Sequence, residues 1–206
     1  MNGIKRGGPA GARAAGGSPG GGLRLAGNAA SILSSDVVIR ASAFVMYALV
    51  ARHLGTRAFG QLTLAFTLFY VWRVIALAGL KPVITRSVAG DHARTGIWWL
   101  NASAVVVPAT CVSFVTLGLF IAVVGYARDT SEVIALLALG LLPFAWSQVC
   151  EAIFQARERM HYIAYGNVPV NLAKVAAVYA VLWLGHGIRA VILVNVASFI
   201  VTLLVE

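Results

Sequence analysis

The chain has 206 residues, 60% of them hydrophobic and 11% charged. A soluble domain carries about 25% charged residues, so an ordinary soluble fold is excluded. The apolar runs are continuous rather than alternating, which excludes a β-barrel. The formal net charge of +9 is topological in origin, because inner loops of membrane proteins are rich in Lys and Arg; no compact basic domain exists to bind nucleic acid.

Residues 1–24 are basic and rich in Gly, Ala and Pro. They hold almost nothing to bury, which predicts a disordered cytoplasmic tail. A cleaved signal peptide does not fit, since the apolar region that follows is too long for an h-region and is interrupted by Asp36 and Arg40. Residues 25–206 read as six spans, at about 29–50, 59–80, 98–124, 133–154, 163–184 and 188–205. Each is long enough to cross ~30 Å of hydrocarbon as a helix. The expected fold is all-α, a polytopic membrane bundle of about six transmembrane helices.

Charge in the connections sets the orientation. With the N-terminus in the cytoplasm, the inner segments hold Lys5, Arg6, Arg13, Arg24, Lys81, Arg86, Arg94, Arg157 and Arg159, and the outer loops only Arg52, Arg57, Arg128 and Arg189. This bias predicts both termini inside, with Trp98 and Trp99 at the inner interface. Residues 81–94 are expected to form a short helix lying in that interface.

Cations inside the spans carry the functional signal. Arg40, Arg73 and Lys174 each lie within an apolar run, where a charge costs on the order of 3 kcal/mol. Polar residues recur at helical spacing around them. The first span aligns Asp36, Arg40, Ala43 and Tyr47, and Asp36 with Arg40 forms an i,i+4 pair. The second aligns Thr63, Phe66, Tyr70 and Arg73; the fourth Phe144, Gln148, Glu151 and Gln155; the fifth Asn167, Asn171 and Lys174. Six such faces turned inward make one polar cavity with Arg40 and Lys174 near its middle and Asp36, Arg73, Gln148 and Glu151 toward its inner mouth. Arg supplies a donor fork and Lys a point charge for phosphate, so the cargo read from these residues is a phosphate or sugar phosphate.

Alternatives stand beside three of these assignments. The alternative for Arg73 is a residue snorkelling to the inner headgroups. Glu151 reads as an interfacial carboxylate paired with Arg157 or Arg159. Asn195, Ser198 and Thr202 in the last span read as contacts between helices. Pro108, Pro143 and Pro169 each interrupt a span and are expected to kink it.

Motifs for other chemistry do not occur. No Walker A, HExxH or GxSxG sequence is found. Cys111 and Cys150 lie apart in apolar runs, and His53, His92, His161 and His186 are scattered, so neither a metal site nor a cofactor is expected. The chain does not read as an enzyme.

Three stretches carry a family likeness. VARHLGTRAFGQLTLA holds Arg52, Leu54, Gly55, Phe59 and Gly60 in an R-x-L-G-x-x-x-F-G pattern. ALAGLKPVITRSVAGD holds Gly79, Leu80 and Arg86 in a G-L-x-x-x-x-x-R pattern. EAIFQARERMHYIAYGNV links the fourth and fifth spans. Together they resemble the oligosaccharide flippase (polysaccharide biosynthesis, O-antigen export) family of the MATE-like superfamily. The resemblance implies one lobe of a bundle whose relatives hold about twelve to fourteen spans, with a second lobe or a self-partner needed to close the cavity.

The resemblance also implies a cargo and a place. The cargo is an undecaprenyl-diphosphate-linked oligosaccharide, moved from the inner to the outer leaflet of a bacterial plasma membrane for surface polysaccharide biosynthesis. Candidate cargo-binding residues are Arg40, Arg73, Lys174, Asn171 and Gln148, and candidate ion-coupling residues are Asp36 and Glu151. The partners are the lipid-linked oligosaccharide diphosphate and membrane lipids. Two alternatives remain: a non-transporting membrane subunit of a glycan synthesis complex, and a drug or metabolite antiporter, against which the excess of membrane cations over carboxylates counts.

Overall fold

A computed structural model describes residues 19–77, 79–90, 95–157 and 160–205, the side chains of 19–32, 34–36 and 160–164 excepted. Among the described residues every regular element is helical: α1 (Pro19–Leu77), α2 (Leu80–Gly90), α3 (Thr95–Val124), α4 (Arg128–Ala138), α5 (Leu141–Ala156), α6 (Met160–Trp183) and α7 (Ile188–Val205). Of the expected tail, residues 1–18 lie outside the described residues, and α1 begins at Pro19.

The longest helix is two limbs of a hairpin. A straight helix of 59 residues would run roughly 90 Å, three bilayer cores end to end. Instead the chain turns at Gly55, whose φ of 80° and ψ of −177° are open to glycine. The Tyr47 ring, before the turn, meets the Phe59 and Phe66 rings after it at 6.0 and 6.1 Å. We refer to the two limbs as those before and after Gly55.

Among the described residues, four stretches are apolar and long enough to cross a membrane: Val37–Leu77, Thr95–Val124, Arg128–Ala156 and Ile188–Val205. The first spans 41 residues, about twice one crossing, and the turn at Gly55 divides it in two. Helix α6, with 24 residues, also has the length to cross; Asn167, Asn171 and Lys174 make it more polar. The two limbs, α3, the α4 and α5 pair, α6 and α7 are the legs of an all-α polytopic bundle.

Side chains tie the legs together at one end. Arg57, just past the Gly55 turn, meets Asp129 in the first turn of α4 at 3.2 Å, and Arg189 in the first turn of α7 pairs with Glu132 of α4. Gln61 Nε2 donates to Thr130 Oγ1 at 3.2 Å. At the other end α2 is packed into the bundle: Ile84 and Val88 are buried with Ala102, Val106, Ala145, Val149 and Ala152 of α3 and α5. Small residues there let the helix backbones approach closely.

The expected fourth span is two helices. A turn at Leu139 and Gly140, both with right-handed helical backbone, separates α4 from α5 within the stretch Arg128–Ala156. Pro143 falls in the first turn of α5, where its missing N–H has no intrahelical partner to lose. Pro108 and Pro169, in contrast, remain inside α3 and α6. Large apolar side chains cover the outside of the bundle, among them Phe44, Val115, Val123, Trp183 and Leu204. An exposed apolar surface of this extent is suited to lipid rather than water.

Candidate functional site

The polar faces of several legs converge on one cavity of about 370 Å³. The limb before Gly55 contributes Ala43 and Tyr47, and the limb after it Phe66, Tyr70 and Arg73. Helix α5 contributes Phe144, Gln148, Glu151 and Gln155; α6 contributes Asn167, Asn171 and Lys174; α7 contributes Asn195, Ser198 and Thr202. Each set repeats every three or four residues, the interval that returns to one helix face.

A continuous run of hydrogen bonds follows the wall of α6. Lys174 Nζ donates to Asn171 Oδ1 at 2.8 Å, and Asn171 Nδ2 donates to the Asn167 carbonyl at 2.8 Å. Asn167 Nδ2 donates to Glu151 Oε1 at 3.1 Å. The other carboxylate oxygen of Glu151 accepts from Gln148 Nε2 at 2.9 Å and from Lys81 Nζ at 2.8 Å. Lys81 Nζ also donates to Gln148 Oε1 at 2.9 Å. A buried carboxylate without such donors is strongly disfavoured; here both oxygens are satisfied.

Aromatic rings form the rest of the wall. The Arg73 guanidinium lies 4.9 Å from the Tyr70 ring centre and 5.4 Å from that of Phe144. Cations over ring faces at this range are attracted by the ring quadrupole, and the contact keeps Arg73 at the cavity. Phe69 stacks on Phe199 at 5.3 Å, and Phe144 meets both edge-on.

The structure therefore gathers Arg73, Lys174, Asn171, Gln148 and Glu151, but it does not bring Arg40 to them. Arg40 is exposed and absent from the cavity wall. Ile39, Ala43, Met46 and Tyr47 reach the wall from that limb. Arg40 follows Ile39 by one residue and is turned about 100° from it. The side chain of Asp36 lies outside the described residues. Not all six legs contribute, either. Helix α3 has no residue on the wall; its polar groups hold neighbours instead, Thr116 accepting from Trp72 Nε1 at 3.0 Å and Ser103 from Trp146 Nε1 at 2.9 Å.

The partner named in the alternative reading of Glu151 is not the one it meets. Glu151 pairs with Lys81, while Arg157 donates to Thr95 Oγ1 at 3.1 Å; Arg159 lies outside the described residues. Lys81 is the site residue that sequence reasoning assigned to a connection. Its signal was the Gly79, Leu80, Lys81, Pro82 run: a glycine at a break with a proline three residues on, inside the first turn that follows, marks a helix start. That start puts Lys81 in the first turn of α2. Arg73, Lys81 and Lys174 thus face the cavity with Glu151 as the one carboxylate on its described wall, a formal excess of two positive charges.

Comparison with known proteins gives one match. A family model described as polysaccharide biosynthesis protein matches residues 25–206. No curated protein and no solved structure gives a significant match.

Proposed function

This chain belongs to the polysaccharide biosynthesis protein family and is a multi-pass membrane protein; from that premise we propose that it carries a lipid-linked oligosaccharide diphosphate across the membrane. The observation that supports the reading most directly is the convergence of Arg73, Lys81 and Lys174, from three helices, on one cavity. A cation within a membrane bundle is costly, and an anionic passenger compensates that cost. In this reading Arg73 and Lys174 hold the diphosphate, Asn171 and Gln148 bind sugar hydroxyls or phosphate oxygens, and the lipid tail stays in the bilayer. Glu151 is the candidate ion-coupling carboxylate.

The same reading places the N-terminus in the cytoplasm of a bacterial inner membrane, as the Lys and Arg bias of the connections favours. A second lobe or a second copy of the chain faces the cavity during transport. Transport proceeds by alternating exposure of the cavity to the two leaflets. The test is surface glycan in cells that depend on this protein for export. A double Arg73→Ala, Lys174→Ala variant at normal protein level is expected to lose surface glycan and accumulate lipid-linked precursor. Undiminished surface glycan would remove the cavity from the transport path.

A further inference from the structure

The three cavity cations are not equivalent. Arg73 rests on the faces of Tyr70 and Phe144, and Lys174 donates to the neutral amide of Asn171. Lys81 alone among them holds a carboxylate, at 2.8 Å. An ammonium has three N–H donors, and Lys81 gives two of them to Glu151 and Gln148. Its side chain is 31% exposed, against 12% for that of Glu151. Both side chains lie on the cavity wall, and the carboxylate is held there by Gln148 of α5 and Asn167 of α6 as well as by Lys81.

Stability alone does not call for this pair. A buried ion pair is about neutral relative to apolar residues of the same volume. Carboxylate and phosphate oxygens accept from the same donors at the same range, so Glu151 sits on Lys81 where an anionic guest would. Gln148 and Asn167 donate to Glu151 independently of Lys81, and they retain the carboxylate when Lys81 is taken from it.

We propose that Lys81 and Glu151 form a self-occupied anion site, in which the Glu151 carboxylate holds the place of one cargo phosphate oxygen and yields Lys81 to it when the cargo enters. The proposal rests on the transport reading above and adds to it a third cation contact and a competitor. With Glu151 engaged, only Arg73 and Lys174 are uncompensated, and their two charges match the two of a diphosphate diester. A phosphodiester headgroup carries one charge and displaces the carboxylate less well, so the pair favours diphosphate-linked lipid over bulk phospholipid.

The test is a double-mutant cycle on the purified full chain in detergent, read by calorimetric titration with inorganic pyrophosphate at fixed pH and salt. Glu151→Gln is expected to tighten pyrophosphate about tenfold, the range of one charge-assisted contact. In a Lys81→Met background the same change is expected to move affinity less than about twofold. An unchanged affinity in Glu151→Gln overturns the proposal. So does an equal gain with and without Lys81, which marks a general effect of removing negative charge. If the unaltered chain binds no pyrophosphate and Glu151→Gln reveals binding that Lys81→Met removes again, self-occupation is upheld; if neither the unaltered chain nor Glu151→Gln binds, the transport reading fails with it. Binding by the unaltered chain with no gain in Glu151→Gln leaves that reading in place and sinks only the self-occupied site. Lys81→Gln, which keeps a hydrogen bond to Glu151, serves in the cycle where Lys81→Met does not fold.

Discussion

Tyr47 and Phe66 are nineteen residues apart in one long helical element, and their rings pack edge-on at 6.1 Å. A straight helix would separate them by roughly 28 Å. Their contact makes α1 a hairpin, brings Tyr47 and Tyr70 to one cavity, and depends on the backbone of Gly55.

Gly55→Ala is therefore expected to destabilise the fold by about 1–2 kcal/mol, because an L side chain is strained at positive φ. No atom lies within 4 Å of where its Cβ would stand, so the cost is conformational and not steric. Gly60→Ala, on the limb after the turn and equally unobstructed, is expected to be neutral or stabilising by up to about 1 kcal/mol. Thermal unfolding in detergent separates the two; matching shifts would show that the turn does not carry the strain.

Gly140→Ala tests the break between α4 and α5 by sterics. Its Cβ would lie 2.6 Å from Phe199 Cδ2 and 3.1 Å from the Leu137 carbonyl oxygen. Phe199 is held by its stack on Phe69 and its edge contact with Phe144, so moving its ring disturbs both contacts. Overpacking of this kind costs about 1–3 kcal/mol. Phe199→Leu in the same chain should recover part of the loss, and a strictly additive pair would sink the explanation.

Arg73 and Arg40 should separate in an export assay. Both are cations within apolar runs, yet Arg73 lies on the cavity wall and Arg40 is exposed away from it. Arg73→Ala is expected to cut surface glycan about tenfold or more, the scale of one lost charge-assisted contact. Arg40→Ala should have a much smaller effect at equal protein level. The reverse order would mean that the transport path runs past the limb before Gly55 on its outer side.

Lys174→Met should divide stability from function. Lys174 is held by Asn171 alone among its hydrogen bonds to described residues. Methionine retains most of the stem volume and removes a charge that is expensive to bury. Unfolding temperature is expected to hold or rise while glycan export falls. A large loss of stability would identify Lys174 as a structural residue.

Much of the site was legible before the fold was known, for a plain reason. On a membrane helix the hydrocarbon demands apolar side chains, so a polar residue at a three- or four-residue interval stands out. Phe144, Gln148, Glu151 and Gln155 on α5, and Asn167, Asn171 and Lys174 on α6, were readable in this way, and all face the cavity. The same logic misled at Arg40. A stripe through Asp36, Arg40, Ala43 and Tyr47 has nearly the same spacing as one through Ile39, Ala43, Met46 and Tyr47, and spacing does not say which of two overlapping stripes faces inward. Lys81 was hidden for the opposite reason: short polar stretches between spans look alike whether they lie in water or fold back into the bundle.

The amino-acid sequence by itself determined the material: helices, their number of crossings, and polar faces that must be buried from lipid. These follow from local chemistry, since each residue's hydropathy and each turn's glycine act within a few positions along the chain. Tertiary structure alone decided which faces meet. The rotation of each helix about its axis, the break at Gly140 against Phe199, and the joining of Lys81 to Glu151 across 70 residues are set by packing between distant segments, and that energy belongs to no single stretch of the chain.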